Sequence, residues 1–334
     1  MKYPSDRVLF INGVKSGKLD FPYKRYFTSQ ASVKQMFEKL KRYNYKDRLM
    51  SKKYRLKNVD LSPQFKGKYM ALLSKPSDYE DFNQLSDIFQ EECRMKCHIF
   101  NNTSPYQFFR NHPDKIFDYC LKKYKKITIA TIRETIYELH PECTSFRPTN
   151  IMAMIQMFKA THILDFSAGW GDRLIGALAS GVDYYCGIDP NACLHPNYQK
   201  MIKFFNRSTK QFKMIKSPFQ TTKITKKPYD LVFTCPPYFD METYSYDNDQ
   251  SISSHKEQEA WYRGFLKASV EKAWKVLISG GYMVLVLNQR NDQNYVERIV
   301  EFITTQLNST YLGVISYSDS SLKNPQPMWI WKKK

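Results

Sequence analysis

Residues 163 to 174 read ILDFSAGWGDRL: a short apolar run, an aspartate, a turn with two glycines, and an amphipathic restart. Ile163 to Phe166 has the apolar density of a buried parallel strand, and from Asp172 apolar residues return at helical spacing. A strand therefore runs into a helix through Gly169-x-Gly171. Glycine permits the tight turn and lets a ligand approach the backbone, while the first helical turn offers free N–H groups. The next strand ends in Gly187-Ile188-Asp189-Pro190-Asn191, which places Asp189 24 residues after Asp165. A carboxylate there can accept both hydroxyl hydrogens of a ribose, or simply cap the following helix. Combined with the glycine turn, the pattern favours a nucleoside ligand.

Outward from this unit, strands and helices keep alternating. Strands are predicted at His162 to Phe166, Tyr184 to Ile188, Phe212 to Ile215, Tyr229 to Thr234 and Tyr282 to Leu287. Helices are predicted at Ile151 to Phe158, Asp172 to Ala179, His195 to Phe205, Glu257 to Leu277 and Tyr295 to Leu307. Two strand-like runs close the chain, Tyr311 to Tyr317 and Met328 to Trp331, with no helix between them, so an antiparallel terminal hairpin is expected. This is an α/β pattern: a Rossmann-like, mostly parallel seven-stranded sheet. Before it the chain reads mainly helical, at Ala31 to Tyr43, Tyr79 to Cys97, Tyr106 to Tyr124 and Ile129 to Leu139, while 1 to 30 and 44 to 78 suit loops or short strands. Arg147-Pro148-Thr149-Asn150 looks like a linker supplying an N-cap. The expected domains are 1–145 and 146–334.

The 334 residues carry 51 Lys and Arg against 32 Asp and Glu, a net charge of +19. Residues 1 to 80 hold 19 basic and 7 acidic side chains, most of the excess. There the cations interleave with aromatics, and Lys24, Arg25, Lys41, Arg42, Lys52, Lys53 and Arg55 are the candidate contacts to a polyphosphate backbone whose bases could stack on the rings. A solvated lysine-rich surface is the alternative. No apolar run approaches the roughly 18 residues of a membrane span, and the start MKYPSDRVLF lacks a signal-peptide core. A cytoplasmic or nuclear protein, neither secreted nor in a membrane, is expected. Seven scattered cysteines read as reduced. Cys93-x3-Cys97-His98 lacks a second ligand pair, so no metal is expected.

Residues 232 to 240, VFTCPPYFD, end the fourth strand of the sheet. Proline cannot donate to a ladder, so Pro236 and Pro237 stop the strand and form a rigid lip at its carboxyl end, beside the ligand crevice. DFSAGWGDRL, GIDPN and TCPPYFDMETYS together resemble the motifs of S-adenosylmethionine-dependent amino methyltransferases, which modify adenine N6 or cytosine N4 in DNA, with some relatives acting on RNA. The last run is especially similar to a phage and bacterial DNA methylase pattern, Thr-Ser-Pro-Pro-Tyr-Phe-Asp followed by an apolar residue and Glu. The resemblance covers about 145 to 334.

It implies that the sheet is of the methyltransferase type and that the cofactor is S-adenosylmethionine. Asp165, Ser167, Gly169 and Gly171 would line the methionine part, Asp189 and Pro190 the ribose, and Ser217 with Pro218 the adenine. Tyr238 would stack on the target base, with Phe239 beside the substrate. The Pro236 carbonyl, held by Pro237, would accept an amino hydrogen; two such acceptors free the lone pair of an otherwise delocalised amine. Cys235 departs from the pattern, since a thiol accepts weakly. It stands in for serine, marks a degenerate binding protein, or acts as a covalent nucleophile. Arg173 could approach the cofactor or bridge to the sheet, and the polar run Glu242 to Glu259 could be a mobile cover or a surface loop. The implied activity is methyl transfer to an exocyclic nucleobase nitrogen, adenine N6 ahead of cytosine N4 and DNA ahead of RNA as the partner, with residues 1–145 holding the substrate. The alternatives are an RNA adenine-N6 methyltransferase, including one acting on mRNA or a cap-proximal adenosine, and a catalytically degenerate accessory subunit.

Overall fold

A computed structural model describes residues 2–26, 28–50, 69–73 (backbone only), 82–99, 102–205, 207–244, 249–318 and 325–334. Among them the strands are β1 (Leu49–Met50), β2 (Tyr69–Leu73), β3 (His98–Ile99), β4 (His162–Asp165), β5 (Tyr184–Asp189), β6 (Phe212–Lys216), β7 (Tyr229–Thr234), β8 (Glu242–Thr243), β9 (Leu277–Val286), β10 (Ser309–Ser318) and β11 (Gln326–Lys333). Nine form one sheet in the order β1-β2-β10-β11-β9-β7-β4-β5-β6, while β3 pairs with β8 apart from it. Pairing is parallel from β6 through β5, β4 and β7 to β9. β11 enters antiparallel between β9 and β10. The seven strands read from the sequence thus build the Rossmann-like sheet of methyltransferase type, with its switch point between β4 and β7.

Alternation along each strand divides the sheet between two cores. Ile163, Leu231, Val284 and Ile330 face one cluster, with the helices Pro148–Phe158, Asp172–Ser180 and His195–Phe204. Leu164, Val232, Leu285 and Trp329 face the other, under the helix that ends in Ala268–Val276 and the helix Tyr295–Gln306. Both faces are covered, which is why these strands read as continuous apolar runs.

Five differences from the sequence reading have local causes. Residues 1 to 30, read as loops or short strands, contain the helix Arg7–Lys15, started by the Asp6 side chain accepting from the Leu9 N–H at 2.9 Å. The helix expected over Tyr106 to Tyr124 is two, Pro105–Asn111 and Pro113–Tyr124, because proline drives the preceding His112 out of helical geometry (φ −128°, ψ 46°). The helix expected at Glu257 to Leu277 runs as Gln258–Trp261, a π-helical turn Tyr262–Lys267, then Ala268–Val276, so that Leu277 already belongs to β9. The short strands allowed for in 44 to 78 join the sheet, which has nine strands rather than the expected seven: β2 adds parallel to β10 and β1 antiparallel to β2. Finally, the cysteines are not all reduced. The fold brings Cys93 and Cys193 to a Cα separation of 6.1 Å, and their sulfurs are bonded.

The N-terminal elements pack in two ways. Helices Arg7–Lys15, Pro105–Asn111, Pro113–Tyr124 and Ile129–Leu139 surround a cluster of their own, centred on Phe10, Phe109, Ile116 and Ile132. Helices Gln30–Leu40 and Gln84–Arg94 instead join the sheet's core. Val33, Met36, Phe37 and Leu85 lie in one cluster with Ile151, Met201 and Phe205, and the rings of Phe37 and Phe205 stack at 4.1 Å. Among the described residues no helix is long and apolar enough to cross a membrane.

Candidate active site

Asp165, at the end of β4, is fully buried and spends its carboxylate inside the protein. It accepts from Arg173 Nε at 2.7 Å, Tyr185 Oη at 2.8 Å, Thr234 Oγ1 at 2.9 Å and the Ser167 N–H at 3.2 Å. One side chain thereby ties β4, β5, β7 and the first turn of Asp172–Ser180 together. Arg173 is engaged there too, donating to the Ser167 carbonyl, so it bridges to the sheet.

Beyond Asp165 the chain turns through Gly169 (φ +58°) and Gly171 (φ +84°), conformations that L side chains rarely adopt. A Cβ at Gly171 would also stand 3.0 Å from Met201 Cε. The turn is held by Asp189 at the end of β5, whose Oδ2 accepts from the Gly169 N–H at 2.8 Å and Oδ1 from the Asn191 N–H at 2.9 Å. Burial pushes its pKa up to about 6, against the pull of those two backbone donors. Each oxygen keeps a further lone pair, and Asp189 lines the cavity that opens here.

That cavity, about 1510 Å³, sits at the carboxyl ends of the parallel strands. Ser167, Gly169, Trp170, Asp189 and Pro190 form one wall, Pro218 and Phe219 another, and Cys235, Pro236, Pro237 and Tyr238 a third. Phe219 stacks on Phe166 at 5.0 Å. The two strand-end motifs and the proline lip, far apart in sequence, therefore face one space.

The lip is fixed at both ends. Thr234 is anchored to Asp165, and Asp240 pairs with Arg290 at 3.1 Å. Between them Phe239 adopts a left-handed φ of 53° and packs against Trp261 at 5.7 Å. Both rings pack against the second core, but Phe239 stays out of the cavity wall, whereas Tyr238 also lines the cavity, its hydroxyl 3.5 Å from Cys235 Sγ. Burial raises the pKa of the Cys235 thiol, although the Arg173 charge opposes the shift.

Most of the remaining candidates fall outside the cavity wall. Ser217 turns its hydroxyl toward the Pro218 carbonyl at 3.2 Å. Lys24 reaches the wall but pairs with Asp87 at 3.2 Å. Arg25 pairs with Glu92 at 3.2 Å and Lys41 with Glu38 at 2.7 Å, both on the surface, where Arg42 is exposed. Lys52, Lys53 and Arg55 lie outside the described residues. Cys93, from the candidate metal run, is bonded to Cys193, and Cys97 Sγ donates to the Tyr244 carbonyl at 2.9 Å.

Several wall residues carried no sequence signal. Asp172 is one. It accepts from Ser86 Oγ and from the Phe146 N–H at 3.1 Å, and burial lifts its pKa to about 7. Asn288, just after β9, and Gln326, at the start of β11, are two more, whereas Glu242 and Tyr244 belong to the methylase-like run and the polar stretch after the lip. The run after the lip does form part of the cavity wall, through Asp249, Gln250, Ser251, Ser254 and His255. At Gly264, in the π-helical turn, the His255 ring fills the space that a Cβ would need. Both Gln250 Nε2 and Ser145 Oγ line this space buried and without a hydrogen-bond partner among the described residues. A polar ligand would satisfy them. The donor set therefore fits a nucleoside cofactor: a glycine turn open to a chain, a carboxylate with free lone pairs, and the apolar pair Pro218 and Phe219 for a purine.

No family model matches the chain, and no curated protein matches it. Among solved structures it is similar to an rRNA methylase from Streptococcus thermophilus, at 13% identity and a TM-score of 0.40, over 57% of this chain and 99% of that one. It is also similar to a SAM-dependent O-methyltransferase from Thermotoga maritima, at 11% identity and a TM-score of 0.39, over 57% of this chain and 67% of that one.

Proposed function

We propose that the protein transfers a methyl group from S-adenosylmethionine to an exocyclic amino group of a nucleobase, adenine N6 ahead of cytosine N4, in DNA. One observation carries the reading: the glycine turn with Asp189 and the Cys235 to Tyr238 lip line a single cavity at the sheet's switch point. Gly169, Asp189, Pro190, Pro218 and Phe219 would hold the cofactor, which when bound supplies an electrophilic methyl group on a sulfonium sulfur.

The chain's own part is positioning. Tyr238 offers a ring face to a base taken out of its stack, and Pro236, with no N–H and a fixed φ, holds its carbonyl as an acceptor for one amino hydrogen. Holding the nitrogen in line with the methyl is where most of the rate gain arises. Cys235 is a poor candidate for a covalent nucleophile, because its raised pKa keeps it a thiol. The exposed cations of the N-terminal region, Arg42 among them, would meet the phosphates.

The test is mass spectrometry of nucleosides from DNA and RNA incubated with the full-length protein and a labelled methyl donor. N6-methyladenine or N4-methylcytosine is expected, in DNA above RNA. Carbon-5 methylcytosine alone would overturn the role given to the lip, and no methylated nucleoside would leave a binding protein.

A further inference from the structure

An exocyclic amine presents two hydrogens and, once methylated, one proton too many. Pro236 accounts for one hydrogen. The second acceptor and the final proton have no strong candidate in Cys235, whose sulfur already lies against the Tyr238 hydroxyl. Glu242 stands in the wall of the same cavity. It belongs to β8, which leaves the lip and pairs with β3, Ile99 opposite Glu242, so its backbone is fixed by an element outside the main sheet. Its carboxylate accepts from Tyr244 Oη, and the Thr144 backbone favours its charged form. No Lys or Arg among the described residues pairs with it at 4 Å or less, unlike Asp87, Glu91 and Glu142. Next to Thr144, the unpartnered Ser145 hydroxyl lines the same space.

We infer that Glu242 is the second acceptor for the target amino group and the general base that removes its surplus proton. The inference rests on the amino methyltransferase reading above. As the nitrogen lone pair bonds the methyl carbon, the carbon–sulfur bond of the donor would break with its pair left on sulfur as a neutral thioether; one N–H bond then breaks, its electron pair stays on nitrogen, and the proton forms an O–H bond with the Glu242 carboxylate. Cys235 then needs no acceptor role. The carboxylate suits the task, because burial raises its pKa and makes it a stronger base, while the Tyr244 hydroxyl and the Thr144 backbone favour its charged form. The titratable groups whose titration feels its charge are Tyr244 on its own segment, Cys235 on the lip, Cys97 after the helix Gln84–Arg94, and Cys143 before the helix Pro148–Phe158.

The experiment measures methyl transfer against pH, with a mixed-sequence oligonucleotide in DNA and RNA forms, for the full-length wild type, Glu242→Gln, Glu242→Asp and Tyr244→Phe. The wild type should lose kcat as pH falls through the carboxyl's titration. Glu242→Gln should lower kcat about 100-fold or more with little change in KM, and erase that acidic limb. Glu242→Asp should restore part of the rate. Tyr244→Phe removes a donor to the charged form and should move the limb to higher pH, a readout that survives if the Gln variant fails to fold. Transfer indifferent to Glu242→Gln, or a limb that stays in place in Tyr244→Phe, overturns the assignment alone. No methylated nucleoside from the wild type overturns both this inference and the function on which it rests.

Discussion

The two halves of the molecule use charge in opposite ways. At the sheet's switch point Asp165 and Asp189 end neighbouring strands, yet four donors close the first while the second keeps lone pairs facing a cavity. In the N-terminal half the basic excess is partly consumed internally. Arg94 and Arg133, each about 2% exposed, hold Asp87, Glu91 and Glu142 at 2.6 to 2.9 Å, and Lys24, Arg25 and Lys41 each have a carboxylate partner. A charge count along a sequence describes the field at long range. It does not count the cations free to meet a phosphate.

The largest expected effect probes whether the halves are independent. Arg94→Met leaves Asp87 with Lys24 alone and Glu142 with Arg133 alone in a buried site, and breaking such a network from one side costs about 3–5 kcal/mol. Because the helix carrying Arg94 shares a core with the sheet, chemical denaturation should show that loss in one cooperative transition. A separate early transition for the N-terminal elements would mean that they are stable on their own.

Asp189→Ala should weaken cofactor binding by about 10- to 100-fold, the worth of hydrogen bonds to a charged acceptor at roughly 1.5–3 kcal/mol. In the wild type the affinity should fall as pH drops through about 6, where Asp189 takes up a proton and can no longer accept from both ribose hydroxyls. The sign for stability is opposite. The folded pKa lies above the unfolded one, so this group costs stability as pH rises from about 4 to 6. Calorimetric titration against pH separates the two. An affinity flat across that window would remove Asp189 from the binding site.

Tyr238→Ala should cost about 1–3 kcal/mol in kcat/KM, the range for base stacking on an aromatic ring. Phe239→Leu, one residue along but turned into the second core, should act on stability instead. Equal losses of kcat/KM from both would break the division of the lip into two faces.

The smallest effect concerns the N-terminal cations. Lys41→Glu with Arg42→Glu should weaken oligonucleotide binding and reduce the salt slope by about 0.7 to 0.9 for each phosphate no longer neutralised. Lys41 shares its charge with Glu38 across an exposed pair, so its own share should be the lesser. A slope unchanged by the double variant would place the nucleic acid elsewhere on the molecule.

Much of this molecule was determined locally. The strand, glycine turn, helix and Asp189 were legible because parallel strands buried on both faces read as apolar runs, and because glycine adopts the positive φ values at 169 and 171 far more readily than other residues. The end of β7 was legible because two prolines cannot extend a ladder. Tertiary structure alone decided the rest. Which way Phe239 and Tyr238 turn depends on one left-handed residue packed against Trp261. The addition of β2 to the edge at β10 and the bond between Cys93 and Cys193 join positions with no periodic signal between them. Glu242 was legible as the glutamate that closes the methylase-like run and opens the polar stretch after the lip, but not as a residue of the cavity wall. Its place in the cavity wall comes from a two-residue pairing with β3, too short for any period to announce. Local propensity and patterning are written along the chain, whereas partners across long sequence separations are chosen only when the packed core brings them together.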